Sequence, residues 1–210
     1  INKDFFRYDK LMGLNMKIKF LLLIFSLCFI GSVYADFNDG NVAFNKGDYQ
    51  TAYKEWLPLA EQGHDGAQAS LGWMYEHGKG VDMDTGQAIR FYEKAGWNNS
   101  QSPGGHIGAQ HNLGLIYYYG HTKNQDSPRD MNIRRDLKKA FSWFYEAARN
   151  EYAAAQYYIG LMFAEGQAYP NNSTRNYKSL EEAAYWTKLA YENGSEEAEN
   201  VWNEYELWKY

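Results

Sequence analysis

The chain is poor in the residues that carry most recognisable chemistry. Its 210 residues hold one cysteine, Cys28, and four prolines. A single thiol forms no intramolecular disulfide, and Cys28 lies in a segment expected to be removed, which would leave no thiol for a zinc site. The five histidines, His64, His77, His106, His111 and His121, form no H-E-x-x-H motif. His106 and His111 are five apart, which sets them on different faces of a helix. These histidines read as solvated or helix-capping side chains. Gly78, Lys79 and Gly80 lack the Gly-Lys-Ser/Thr ending of a phosphate loop, so they read as a turn. The acidic pairs Glu181/Glu182 and Glu196/Glu197 open helices, where carboxylates favour the positive dipole end. The expected protein therefore has no catalytic residues, no cofactor and no metal.

Positive charge is also scarce where it would matter. The net charge is −5. Five of the basic residues and only two acidic ones precede Asp36, so the rest of the chain carries −8. An acidic body of this kind excludes general nucleic-acid binding, which requires Lys and Arg against phosphates.

The basic residues at the start have another reading. Lys17 and Lys19 precede an apolar run over residues 20–30, followed by Gly31, Ser32, Val33, Tyr34 and Ala35. A charged segment, a short apolar core and small residues at −3 and −1 form an export signal, with cleavage expected before Asp36. The run is shorter than the roughly 20 residues of a membrane span, so no stable span is expected after cleavage. Residues 16–35 are thus read as a signal peptide leading to the periplasm or the exterior of a bacterium. Met16 offers a start, which leaves residues 1–15 as an upstream leader or as untranslated sequence. Removal of residues 1–35 also removes Cys28. The sequons at Asn98, Asn171, Asn172 and Asn193 matter only in a eukaryotic secretory route.

Aromatics are abundant, with 19 Tyr and 7 Trp, and the body repeats itself. Ala67, Gln68, Leu71, Gly72, Met74 and Tyr75 recur as Ala109, Gln110, Leu113, Gly114, Ile116 and Tyr117. They return as Ala155, Gln156, Ile159, Gly160, Met162 and Phe163. Three residues beyond each copy stands a glycine, Gly78, Gly120 or Gly166. A second motif follows each copy: Ala88, Phe91, Tyr92 and Ala95, then Ala140, Trp143, Phe144 and Ala147, then Ala183, Trp186, Thr187 and Ala190. Ala52, Trp56 and Ala60 form an earlier, incomplete copy.

Positions i, i+4, i+8 and i+11 share one helical face. Ala and Gly there admit a neighbouring helix, Leu and Tyr fill the space beside it, and the terminal Gly suits a left-handed helix stop. Each unit reads as two antiparallel helices. The spacing predicts helices near 49–62, 65–77, 83–97, 107–119, 136–150, 152–165 and 179–193. A short opening helix precedes them, and a closing helix follows over 195–209.

These residues resemble the Sel-one-like repeat, a tetratricopeptide-related motif, which residues 67–95 match closely, including Gly78, Gly80, Val81 and Asp84. The resemblance implies an all-α solenoid of about four helix pairs and a C-terminal capping helix. It divides the chain into a degenerate repeat at 36–66, repeats at 67–99, 109–151 and 155–194, and a cap at 195–210. It also implies an adaptor for proteins or peptides, expected as a monomer, rather than an enzyme. Some bacterial relatives carry a cysteine pair in each repeat and are linked to β-lactam or cell-wall chemistry; this chain lacks those cysteines. A cell-wall-active or β-lactam-binding hydrolase is thus one alternative, and a secreted effector or toxin-neutralising protein is another.

Two features mark candidate partner-binding residues. The first helices carry large side chains beyond the repeat core: Trp73, Glu76 and His77, then His111, Leu115, Tyr118 and Tyr119, then Tyr157. In solenoids such helices line the concave surface, where exposed Tyr and Trp suit anchoring. The second feature is the long turn at 120–136. It gathers Lys123, Arg129, Arg134 and Arg135 just before Lys138 and Lys139, a basic cluster in an acidic protein suited to an acidic partner or a membrane surface. The bland alternative is a solvated loop.

Overall fold

A computed structural model describes residues 36–97, 104–122, 126, 129–168 and 179–210. The export signal, Cys28, Lys123 and the sequons at Asn98, Asn171 and Asn172 lie outside the described residues.

Short polar caps and left-handed glycines divide Asp36–Tyr210 into helices. These are α1 (Phe37–Asn45), α2 (Tyr49–Glu61), α3 (Asp65–His77), α4 (Thr85–Gly96), α5 (Ile107–Tyr119), α6 (Leu137–Arg149), α7 (Ala153–Ala164), α8 (Leu180–Glu192) and α9 (Glu197–Glu204). Each first helix packs on its own second helix, and each second helix on the next first helix. This is the expected all-α solenoid, with four pairs followed by α9.

Start signals are explicit. Asp48, Asp84, Asp136 and Ser179 each accept a backbone N–H in the first turn of a second helix. His64 and His106 do the same for α3 and α5 through Nδ1. Side-chain caps of this kind satisfy amides that would otherwise have no partner. Gly78, Gly120 and Gly166 all have positive φ, as expected. At the turns between pairs, Gly63, Gly105 and Gly194 are left-handed, but Glu151 occupies the corresponding place after α6 at φ 61°.

The small residues of the motif let helices touch. A Cβ on Gly72 would lie 2.6 Å from the Tyr92 ring, and one on Gly114 would lie 2.4 Å from the Phe144 ring. Tyr92 and Phe144 are fully buried. The repeated glutamine is a joint between units. Gln68 Nε2 donates to Ala60 O, Gln110 Nε2 to Gly96 O and Gln156 Nε2 to Ala148 O, at 2.9, 2.8 and 3.1 Å. Each adds a donor to a last-turn carbonyl of the preceding second helix; Ala60 O and Ala148 O also accept from the turn residues Gly63 and Glu151.

One element departs from its sequence reading. The closing helix ends at Glu204, Glu206 turns left-handed at φ 51°, and a 3-10 turn follows over Leu207–Lys209. The break carries Leu207 into full burial against the core, which a continued helix would not do.

Candidate functional site

The candidate residues divide by location. Trp73 is half-buried, edge-on to Phe44 with ring centroids 5.1 Å apart and stacked on His77 at 4.2 Å. It fastens α3 to α1 rather than standing free. Glu76 accepts the Tyr92 hydroxyl at 2.6 Å, and Tyr92 Oη accepts from Asn112 Nδ2 at 3.0 Å. This chain ties α3, α4 and α5 together. Burial first, and the Glu76 carboxylate second, hold the Tyr92 phenol far above its ordinary pKa.

His111 is neither solvated nor a cap. Its ring packs against Tyr152, Phe144 and Tyr158, at 5.1, 5.7 and 6.0 Å, and Nε2 is buried without a hydrogen-bond partner. Burial lowers its pKa, because a charged imidazole there would lose its hydration; a hydrogen bond with Asn112 opposes the shift. His121 is likewise engaged, its Nε2 2.8 Å from the Asp130 carboxylate. Leu115 is half-buried and packs on the core.

Tyr118 and Tyr119, adjacent in sequence, have opposite fates. Tyr118 is 7% exposed and Tyr119 is 66% exposed. Tyr118 is a buried pillar and not a free anchor. Its ring meets Tyr119, Tyr158 and Phe144, and its hydroxyl donates to Glu165 at 3.3 Å. Tyr119 shares a hydroxyl–hydroxyl hydrogen bond of 3.0 Å with Tyr158, whose ring lies 5.0 Å from that of Tyr157. Tyr119, Tyr157 and Tyr158 thus form one patch across α5 and α7.

Tyr158, Glu165, Glu204 and Tyr205 adjoin this patch without having been singled out in the sequence, and Glu197, read there only as a helix-opening acid, adjoins it too. Burial, then Tyr119 and the carboxylates of Glu197, Glu165 and Glu204, raise the pKa of Tyr157. Burial, Glu204 and Glu165 do the same to Tyr205. Tyr158 had one visible signal, its place one residue after Tyr157 at the repeat position of Asn112.

The basic cluster is not one surface. Arg129 lines an open cavity of about 580 Å³ with Gln50, Tyr53, Tyr75 and Asp82. Arg135 has different partners: Nε donates to Tyr118 O at 2.9 Å and Nη2 to Gln167 Oε1 at 3.0 Å, with the guanidinium 5.3 Å from the Tyr118 ring centroid. Arg134, Lys138 and Lys139 are exposed, and Lys139 lies over Tyr117 at 4.6 Å.

The described part of the turn is also pinned. His121 and Ile133 exchange two backbone hydrogen bonds of 2.8 Å. The buried Asp130 carboxylate accepts from Thr85 N at 3.1 Å and Thr85 Oγ1 at 2.5 Å. An acid at the start of α4 is favoured by the exposed amides there. Among the described residues, no group of three His, Cys, Asp or Glu side chains could hold a metal ion, and no helix is long and apolar enough to cross a membrane.

The Sel1 repeat profile matches residues 66–96, 107–152 and 153–195. The chain belongs to the Sel1 repeat family. It is similar to the Sel1 repeat protein from Oxalobacter formigenes, at 26% identity and a TM-score of 0.61, over 78% of this chain and 58% of that one. It is also similar to a protective antigen, displaying an SLR fold, present in uropathogenic Escherichia coli strains. There identity is 25% and the TM-score 0.55, over 71% of this chain and 27% of that one. This Sel1 repeat chain thus spans less than two thirds of either solved relative. No curated protein matches it. Sel1 repeat proteins are generally non-catalytic scaffolds for protein–protein interaction.

Proposed function

We propose that this Sel1 repeat protein is an exported scaffold of the bacterial envelope that holds a protein segment on its first-helix face. The observation that carries the reading is the tyrosine patch, in which Tyr119, 66% exposed, is held by the Tyr158 hydroxyl. A large ring fixed in place loses little freedom on binding, and interface hot spots are rich in tyrosine for that reason. The repeat core does not need Tyr119, because Leu113, Ile116 and Tyr117 already fill the buried side of α5.

Export rests on Lys17 and Lys19, the apolar run over residues 20–30, and Val33 and Ala35. Mass measurement of protein from the periplasmic fraction tests it; a mature chain beginning at Asp36 is expected, and retention of residues 16–35 in the cytoplasm would end that part of the reading. Binding is tested by cross-linking in intact cells, comparing wild type with Tyr119→Ala. A cross-linked species that disappears in the variant is expected. Identical patterns, or none in either, would refute a scaffold working through this face.

A further inference from the structure

The patch has a chemical character as well as a location. Its rings come from α5 and α7. Its carboxylates come from Glu165, beside the end of α7, and from Glu197 and Glu204 on α9. The ring contacts of Tyr118 with Tyr119 and Tyr158 link the Tyr119–Tyr158 hydrogen bond to the Tyr118–Glu165 hydrogen bond, which brings one carboxylate directly onto the rings. α9 packs against α7, and Glu197 and Glu204 stand four residues before and three after its buried Val201, so they flank the face that α9 turns to the core; their charges reach Tyr157, and those of Glu204 and Glu165 reach Tyr205. The charged groups bearing on Tyr157 and Tyr205 are therefore carboxylates. Glu197 and Glu204 are exposed, and although Glu197 accepts the Ser195 hydroxyl at 3.0 Å, each carboxylate keeps lone pairs turned to water for pairing.

The protein itself shows what such a surface accepts. Arg135 lays its guanidinium over the Tyr118 ring at the edge of the same network and donates to the carbonyl beneath it. A tyrosine face attracts a cation through its quadrupole, more strongly when a carboxylate stands close by. An acidic or purely apolar segment would meet the carboxylates unpaired, and burying an unpaired charge is costly. Resting on the scaffold reading above, we propose that the occupant of this face is a positively charged segment of a partner protein. Its lysine or arginine side chains lie over Tyr119 and Tyr157 and pair with Glu197 and Glu204. The net charge of −8 from Asp36 onward brings such a segment to the protein, and the local carboxylates fix where it rests.

The test uses fluorescently labelled peptides and the intact protein at several salt concentrations. The probes are a peptide of alternating arginine and glycine, one of alternating aspartate and glycine, and one of alternating serine and glycine. Only the arginine peptide is expected to bind, more weakly as salt rises. Glu197→Gln/Glu204→Gln should weaken it about three- to tenfold, and Tyr119→Ser about threefold. The control is Glu61→Gln/Glu181→Gln, which removes the same charge from the second helices α2 and α8 and should leave affinity within about twofold. Circular dichroism melting confirms that each variant folds. Equal loss from both charge pairs would mean diffuse attraction and overturn the proposal. So would preference for the serine or aspartate peptide. If the arginine peptide does not bind but Tyr119→Ala still abolishes the cellular cross-link, the scaffold stands and the charge assignment falls. If both fail, both readings fall.

Discussion

Replacing Gly114 with alanine sets two effects of known size against each other. Gly114 lies in the middle of α5, where alanine is intrinsically better by about 1 kcal/mol. The added Cβ, however, would stand 2.4 Å from both Cδ1 and Cε1 of Phe144. That ring cannot retreat freely. It is fully buried and stacks on Tyr158 at 4.6 Å with the planes 2° apart. Overpacking a filled core costs about 1–3 kcal/mol. The upper part of that range fits a clash with two atoms of a ring that is itself backed by another ring. Gly114→Ala is therefore expected to destabilise by about 1–2 kcal/mol after the propensity gain. Urea unfolding followed by circular dichroism measures it. Phe144→Ala removes Cγ, Cδ1 and Cε1, the atoms that oppose the methyl, so the same alanine introduced on that background should be neutral or stabilising, a coupling of at least about 1 kcal/mol. Stabilisation by Gly114→Ala in the wild-type background would show that the close approach does not govern this position. Strict additivity of the two changes would show that Phe144 is not what opposes the methyl.

Glu151→Gly should stabilise by about 0.5–1 kcal/mol, since φ 61° penalises a side chain while glycine loses some of the gain as unfolded-state entropy; chemical denaturation measures it, and destabilisation would contradict the backbone argument. Asp130→Asn weakens the buried contacts to Thr85 and His121 and should cost about 1–3 kcal/mol. Limited proteolysis should then cut the 120–136 turn faster than in wild type, and unchanged cleavage would mean the carboxylate does not pin it. His111 and His106 both have pKa values lowered chiefly by burial. Their unfolded forms bind protons more readily, so the neutral folded protein keeps full stability above the ordinary histidine value of about 6.5 and loses it as pH falls through and below that value. His111→Phe should flatten that fall without abolishing it, because His106 still contributes; an unchanged slope of stability against pH would rule His111 out.

The helix pairs were legible because their determinants are local. Ala, Leu, Gly and Tyr at fixed spacing placed α3 and α5 at Asp65–His77 and Ile107–Tyr119, as the spacing predicts. Gly78, Gly120 and Gly166 marked stops because only a left-handed residue fits there. The tyrosine patch was half legible. Three consecutive tyrosines, 117 to 119, declare a large surface, but which are covered depends on α6 and α7, and those bury Tyr117 and Tyr118 while leaving Tyr119 out. The basic turn misled because charge was counted along the chain. Arg129 and Arg135 lie six residues apart, yet one lines the cavity with Tyr53 and Tyr75 while the other covers Tyr118. Asp130, which pins the turn, finds its partner 45 residues away in Thr85. No spacing rule reveals that pairing.

The repeat separates positions that build the array from positions that give it chemistry. Counting from the motif alanine, the residues one, four, five, seven and eight later are committed to joints and core. Those two, three, nine and ten later vary more in residue type, although Ala69, Tyr118 and Ala164 among them are buried. They read Ala69, Ser70, Glu76 and His77 in α3, then His111, Asn112, Tyr118 and Tyr119 in α5, then Tyr157, Tyr158, Ala164 and Glu165 at α7. These positions hold no tyrosine in α3 and two in each of the later copies. Their freedom is not equal, because α4 and α6 each project a ring toward the next first helix. Tyr92 meets Asn112 through a hydrogen bond, and Phe144 meets Tyr158 through stacking. Tyr158 is therefore both floor of the patch and part of the α6–α7 joint, and Tyr158→Ser should cost stability as well as binding. Tyr119 and Tyr157 are not stacked on a second-helix ring in this way. Tyr157→Ser should weaken binding of a cationic segment with little change in unfolding midpoint, and a loss of stability equal to that of Tyr158→Ser would mean the patch cannot be separated from the framework that carries it.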